Sequence, residues 1–399
     1  MAMAQQTKLK LKTLNLKLLY KAVFVVLIGI ILFNVFSVVL QQKEKYFTFN
    51  YQANYSSLQR TYYASIYKDK HGTWIPDEII YSYVGGALVK GKSPILLNPE
   101  VPPLGTYIIG LSTVIFNNQY IVIVFFALLS LYLMYLIGKQ IYPSKLIALI
   151  PPVLFSFEPM FKNQLIYTPL LDIIQLTFLL AVFYFLNKAL QTKSRFLLYA
   201  VLLNVFLGFF ISTKFFGTGI TVVVAILATF FIHREWKKLA ITLLTMPISI
   251  IILYATYFRV LLDGYPLNRF FGIQKWIFLY NSGHLRNPLS IWPLLFLNKW
   301  YVSSGKNIVS FDPQWLILWP IITSISLLTA LASVLKRLCR REVEPMLIWI
   351  IAYLLLMSLV DANARYFVIL MPILYMIALY GIMELVQSKK FIKLIRFRI

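Results

Sequence analysis

Apolar runs approaching the ~20 residues that cross a bilayer recur along this chain, separated by short basic turns and two long polar segments. They predict ten membrane-spanning helices, at residues 22–40, 121–141, 146–157, 170–186, 196–211, 216–232, 239–257, 315–335, 346–360 and 366–383. The runs are continuous rather than alternating, which argues against a transmembrane β-barrel. A further apolar run, residues 104–116, is too short to cross comfortably and is expected to lie on the membrane surface; if it crosses, the count is eleven. The expected fold is an all-α polytopic membrane protein, a single integral membrane domain over residues 1–399. Its parts are the first span, an outer loop at 41–118 with surface-lying helices, spans two to seven at 121–257, a second outer loop at 259–313 with an amphipathic piece at 267–280, spans eight to ten at 315–383, and a basic tail at 384–399.

Composition agrees with this pattern. Of 399 residues 60% are hydrophobic, and the mean hydropathy is +0.75. In a soluble protein a net charge of +24 would point to nucleic acid. Here the basic residues gather at helix ends, as cytoplasmic turns require, so membrane lipids and not nucleic acid are the expected surroundings. Ten spans put both termini on one side. Segments on that side hold 22 of the 38 Lys and Arg and 4 of the 14 Asp and Glu, leaving 16 and 10 on the other, so +18 faces +6. The basic side is read as cytoplasmic, and both long polar segments then face outward from the cell membrane. The run at 22–40 is longer than a signal-peptide core and lacks a small-residue cleavage site, so it is expected to be retained. The single cysteine, Cys339, leaves no intrachain disulfide, and His71, His233 and His284 show no zinc-like spacing.

The first outer loop holds the densest chemistry. Residues 76–105 read PDEIIYSYVGGALVKGKSPILLNPEVPPLG. Asp77 and Glu78 precede Ile79, Ile80, Tyr83, Val84, Ala87 and Leu88 at helical spacing, which predicts an amphipathic helix whose N-terminal dipole suits the carboxylates. Asn98, Pro99, Glu100, Pro102 and Pro103 predict a turn before the short apolar run. Ionisable groups near membrane depth are costly and therefore informative. Asp172 is expected at the outer end of the fourth span, Lys214 at the outer end of the fifth and Arg365 at the outer start of the tenth. Glu100, His284 and Arg286 lie in the outer segments. All converge on one membrane–water boundary, where carboxylates suit proton abstraction or metal binding and cations suit an anionic ligand. Plainer readings stand beside this one: an acidic helix start for Asp77 and Glu78, snorkelling for Lys214 and Arg365, a helix cap or a Lys162 partner for Asp172, a solvated loop residue for His284, and turn formation for Glu100.

These residues resemble the pattern of the GT-C membrane glycosyltransferases. They are most similar to the dolichyl-phosphate-mannose–protein mannosyltransferases and their bacterial relatives, including the lipid A aminoarabinose transferases. The family's first outer loop opens with Asp-Glu and closes on N-P-E-H-P-P-L-G; here these are Asp77-Glu78 and Asn98-Pro99-Glu100-Val101-Pro102-Pro103-Leu104-Gly105. The family's L-L-D and S/A-T-K look like Leu170-Leu171-Asp172 and Ser212-Thr213-Lys214, and its second outer loop is similar to HLRNPLSIWP at 284–293. Arg365-Tyr366, with Pro372 following, also fits. Val101 replaces the usual His, and Asn287-Pro288 the usual Ser-Pro.

The resemblance implies an enzyme that moves a sugar, mannose-like, from a polyprenyl-phosphate donor to a hydroxyl on a protein or glycolipid by inverting displacement. It implies Asp77 as base, with Glu78 beside it. Lys214, Arg365, Arg286 and His284 would face the leaving phosphate, and Asp172, Glu100 and Pro102 would shape the substrate site. Some enzymes of this fold use a divalent ion, Mg or Mn, but the first loop has no D-x-D and the metal is left open. A transporter or flippase for lipid-linked sugars is the alternative from another class. It predicts ionisable residues at mid-membrane and two repeated halves, whereas this chain shows outer-end charges and no internal repeat.

Overall fold

The computed structural model describes residues 2–69, 75–192, 194–214, 217–282, 288–301, 309–336, 340–361 and 363–387. Helix dominates. In chain order the helices are α1 (Ala2–Gln41), α2 (Tyr51–Asp69), α3 (Asp77–Val89), α4 (Pro94–Leu97), α5 (Leu104–Phe116), α6 (Ile121–Ile141), α7 (Lys145–Phe157), α8 (Pro159–Ile166), α9 (Asp172–Gln191) and α10 (Phe196–Thr213). They continue as α11 (Gly217–Ile232), α12 (Trp236–Thr245), α13 (Pro247–Ala255), α14 (Phe258–Leu262), α15 (Leu267–Ser282), α16 (Ile291–Leu297), α17 (Leu318–Lys336), α18 (Glu344–Met357) and α19 (Phe367–Gln387). A π-helix, Glu44–Thr48, follows α1, and a 3-10 turn, Ala364–Tyr366, leads into α19. Among the described residues the only sheet is a two-residue antiparallel pair that sets Trp300 opposite Ser310.

Among the described residues six helical stretches are long and apolar enough to cross a membrane: Lys17–Gln41, Ile121–Ile141, Asp172–Gln191, Phe196–Thr213, Trp236–Ala255 and Ala364–Gln387. The other four predicted spans fall on the shorter apolar helices α7, α11, α17 and α18, and α5 is of the same short kind. The most enclosed span is α9, where Ile173, Leu176, Leu179, Leu180 and Phe183 are all fully buried. A helix apolar on every side is one that other helices surround.

Two predicted spans differ in detail. Residues 158–169 join the third and fourth predicted spans, where the pattern predicts only a connection. Instead the chain breaks at Glu158 and resumes as α8, because Pro159 is tolerated at a helix start and Met160, Phe161 and Leu165 are fully buried. The seventh span is also two helices, α12 and α13, with Pro247 opening the second. A polar seam holds the break. Asn204 Nδ2 donates to Thr245 Oγ1 at 2.8 Å, and Ser249 Oγ donates to the Asn204 carbonyl at 2.7 Å. Such groups need partners where lipid supplies none.

The first outer loop is folded throughout its described length. The predicted amphipathic helix is α3, which starts at Asp77. It lies backbone against backbone on α5: a Cβ on Gly110 would come within 2.2 Å of the Gly85 carbonyl oxygen, so no larger residue fits there. Residues 44–48 and 51–69, which carry no apolar period, are also helical. Tyr51 and Tyr62 are buried there, and Tyr62 meets Tyr83 of α3 at 4.9 Å between ring centroids.

Candidate active site

Four charged side chains from separate helix ends meet at one end of the bundle. Asp77 is the first residue of α3, Asp172 the first of α9, and Lys214 caps the C-terminus of α10. Arg365 sits in the 3-10 turn before α19, where Asn363 Oδ1 accepts its backbone N–H at 3.0 Å. Lys214 Nζ lies 2.5 Å from Asp172 Oδ1. Arg365 Nη1 lies 2.5 Å from Asp77 Oδ2, and its Nε donates to Asp172 Oδ2. The result is a row of alternating charge, Asp77–Arg365–Asp172–Lys214. Asp172 is 3% exposed, whereas the Asp77 side chain keeps 27% exposure. The second nitrogen of the guanidinium fork, Arg365 Nη2, is buried without a protein partner.

Local packing brings these ends together. Gly105, which closes the proline-rich turn, faces the residues next to two of the charges. A Cβ there would lie 2.8 Å from Leu171 Cδ2, 2.9 Å from Thr213 Cγ2 and 3.2 Å from the Thr213 carbonyl oxygen. The glycine thus lets α5 seat directly on the start of α9 and the end of α10, just where Asp172 and Lys214 emerge.

The surroundings shape the charges. Burial, and then the Arg365 charge, push the Lys214 ammonium below its ordinary pKa, with Asp172 pulling the other way. Tyr81 lies one helical turn beyond Asp77. Burial, then the Asp77 carboxylate, hold its phenol well above the usual value. Lys45, in the π-helix, donates to the Ile166 carbonyl at 2.6 Å; burial lowers its pKa and the nearby Glu78 carboxylate opposes this.

The remaining sequence-predicted residues divide. Glu78 neighbours Asp77 at the start of α3, and Glu100 lies near enough for its charge to act on Tyr81 and Tyr62. Pro102 is buried in the turn before α5. His284 and Arg286 lie outside the described residues. Asp172 meets Lys214 and Arg365, not Lys162, whose ammonium sits over the Phe157 ring. Sequence reasoning missed Tyr81, although its i+4 spacing from Asp77 was a usable signal. It also missed Lys45, one cation in a polar stretch with nothing local to distinguish it.

The family profile described as dolichyl-phosphate-mannose-protein mannosyltransferase matches residues 100–258. Among solved structures, ArnT from Cupriavidus metallidurans, bound to undecaprenyl phosphate, superposes with a TM-score of 0.54 at 14% identity, over 77% of this chain and 55% of that one. The Archaeoglobus fulgidus oligosaccharyltransferase in its apo form superposes with a TM-score of 0.52 at 13% identity, over 92% of this chain and 52% of that one. This chain has the GT-C fold. It spans about half the length of these two GT-C structures. No curated protein sequence matches it. Within the GT-C fold, the profile match takes in Glu100, Pro102, Asp172 and Lys214, while Asp77 and Arg365 lie outside it. Among the described residues no three His, Cys, Asp or Glu side chains gather as metal ligands. Asp77 and Asp172 spend carboxylate oxygens on Arg365 and Lys214.

Proposed function

We propose that this chain is a membrane glycosyltransferase that moves a sugar from a polyprenyl-phosphate-linked donor to an acceptor hydroxyl at the outer face of the membrane. The observation that carries the reading is the row Asp77–Arg365–Asp172–Lys214, gathered at one end of a GT-C bundle. A lipid-anchored donor presents its phosphate at that depth. The partnerless Arg365 Nη2 and the Lys214 ammonium are donors suited to a phosphate oxygen.

In the proposed reaction the acceptor oxygen attacks the anomeric carbon, and its proton passes to the Asp77 carboxylate. The bond from the anomeric carbon to the phosphate oxygen breaks on the opposite face, and polyprenyl phosphate leaves with the electron pair. Arg365 and Lys214 stabilise the charge that develops there. A phosphate on Arg365 competes with Asp77 for the guanidinium and so frees the carboxylate to act as base. Asp172 holds both cations in place. Glu78 orients the acceptor, and Glu100 and Pro102 shape the entry. One base with a stabilised leaving group produces inversion.

The finer reading is a mannose-like sugar delivered to a protein hydroxyl. The protein mannosyltransferase profile and the similarity of the second outer loop support it. The charge distribution along the chain supports an outward-facing site with both termini cytoplasmic. The test is transfer of labelled sugar from polyprenyl-phosphate donors to protein and glycolipid acceptors in proteoliposomes. Asp77→Asn should lower turnover roughly 10²–10⁴-fold with donor binding retained. Lys214→Ala should weaken donor binding about 10–100-fold. Full turnover in Asp77→Asn removes it as the base. No transfer from any donor, with lipid-linked sugar crossing the bilayer instead, makes the protein a transporter.

A further inference from the structure

Where the first span ends, the surface opens into a groove of about 790 Å³, within the size range of small-ligand sites. Leu40 of α1, Phe47 and Phe49 form its apolar part, and Lys43, Glu44, Thr48 and Asn54 its polar part. The π-helix produces this division. Tyr46 Oη donates to the Leu165 carbonyl at 2.7 Å and Lys45 Nζ to the Ile166 carbonyl at 2.6 Å, so both side chains are drawn onto the body of the bundle. The residues on either side of them, Lys43, Glu44, Phe47 and Thr48, are left exposed. An apolar lane runs from the groove down α1. Val26, Phe33 and Leu40 recur every seven residues on one face, and all three are exposed. Gly29 lies between the first two, and a Cβ there would meet nothing within 4 Å. From Val26 to Leu40 the lane is about 21 Å long at 1.5 Å per residue, more than the ~15 Å of hydrocarbon in one leaflet.

The charges at the groove say what fits it. Lys43 and Glu44 both line it, and neither side chain makes an ion pair among the described residues. As neighbours in sequence on a helical turn they do not face each other, so one does not neutralise the other. Thr48 spends its only donor on the Glu44 carbonyl at 3.0 Å, which leaves its oxygen as an acceptor. The complement is a ligand with an anionic group for Lys43, a cationic group that donates hydrogen bonds to Glu44 and Thr48, and an apolar tail for the lane. We propose that the groove binds one zwitterionic phospholipid with a primary ammonium, of the phosphatidylethanolamine kind, its phosphate on Lys43, its ammonium on Glu44 and an acyl chain along α1. A quaternary ammonium has no N–H to give, and a glycerol headgroup has no positive charge, so choline and glycerol headgroups match only in part. The bound lipid would fasten the π-helix and the start of α2 to the membrane surface.

The test is native mass spectrometry of the full-length protein in detergent, titrated separately with phosphatidylethanolamine, phosphatidylcholine and phosphatidylglycerol of identical acyl chains. Thermal midpoints are recorded with and without each lipid. The wild type should bind phosphatidylethanolamine about tenfold more tightly than either of the others, with a rise in midpoint. Glu44→Gln should weaken phosphatidylethanolamine about tenfold and leave phosphatidylglycerol no weaker than before, so that the preference disappears. Lys43→Gln should weaken all three lipids, since each carries the phosphate. Both residues are exposed, so the lipid-free midpoints of the variants should match the wild type. Equal affinity of the wild type for the three lipids overturns the site, and so does a preference that survives Glu44→Gln. A lower midpoint in lipid-free detergent with the lipid preference intact would assign the two residues to the fold of the loop instead, and would also overturn it. None of these results bears on sugar transfer, which is read separately.

Discussion

Gly105 and Glu158 show how much a single position decides. The Gly105 Cα faces Leu171 and Thr213 so closely that one methyl group has no room. Gly105→Ala should push α5 off the ends of α9 and α10 at a cost of about 1–3 kcal/mol. Because Asp172 and Lys214 follow the displaced residues, sugar transfer should fall further than the drop in thermal midpoint explains. Measuring both on one preparation checks this, and unchanged transfer would sink it. Glu158 is fully buried at the break between α7 and α8. Trp319 Nε1 donates to its Oε2 at 3.3 Å and Tyr375 Oη to its Oε1, and no ion pair reaches it among the described residues. Glu158→Gln, which keeps size and an acceptor, should alter stability by no more than ~1 kcal/mol, whereas Glu158→Leu strands both donors at ~1–3 kcal/mol each. Thermal unfolding in detergent separates the two. The motif around Gly105 was readable as a turn, but the reason for its glycine lay in residues distant along the chain.

Among the elements, the least legible was the stretch after the first span. Its Tyr, Gln, Asn and Ser residues show no apolar period, so sequence reasoning left it as a polar segment. Helix forms there because Tyr51 and Tyr62 find cover on α3, with Tyr51 Oη donating to the Tyr83 carbonyl at 3.2 Å. The π-helix is strapped down by Asn118. Its Nδ2 donates to the carbonyls of Lys45 and Tyr46, and its Oδ1 accepts the Tyr120 N–H at 2.8 Å. Asn118→Ala should lower stability by about 1–3 kcal/mol and expose residues 44–48 to faster amide exchange while α9 stays protected. Uniform loss of protection across both would contradict a local strap. The long apolar helices, by contrast, were legible because lipid leaves the backbone no other partner than its own helix.

Across the whole molecule, charge is ordered at both ends. Opposite the candidate site, Arg341 donates to Glu235, Lys238 Nζ lies 3.1 Å from Glu235 Oε1, and His233 Nε2 lies 2.6 Å from Glu344 Oε2. These contacts tie the α11–α12 turn to the start of α18. Burial alone would raise the Glu235 pKa, but Arg341 and Lys238 outweigh it and hold the carboxyl below its ordinary value. A carboxylate depressed in the folded state stabilises the fold above its unfolded pKa, near ~4.3, and loses that contribution as pH falls through the folded value. The midpoint gap between wild type and Glu235→Gln should therefore be present at pH 7 and close below about pH 4. Since the group is partly solvated, the gap should correspond to no more than ~1 kcal/mol. A gap that persists in acid would place the effect in packing rather than charge.

Sequence alone determined the membrane class, the apolar helices and the start of α3 at its carboxylates, since each follows from local period, length or charge. Tertiary structure decided which charges touch. Asp77, Asp172, Lys214 and Arg365 are separated by up to 288 positions, and only the packing of α5 on α9 and α10 and the entry into α19 brings them within ion-pair distance. It also decided that Glu158 is buried. Burial depends on what the rest of the chain places around a side chain, and no local pattern records that.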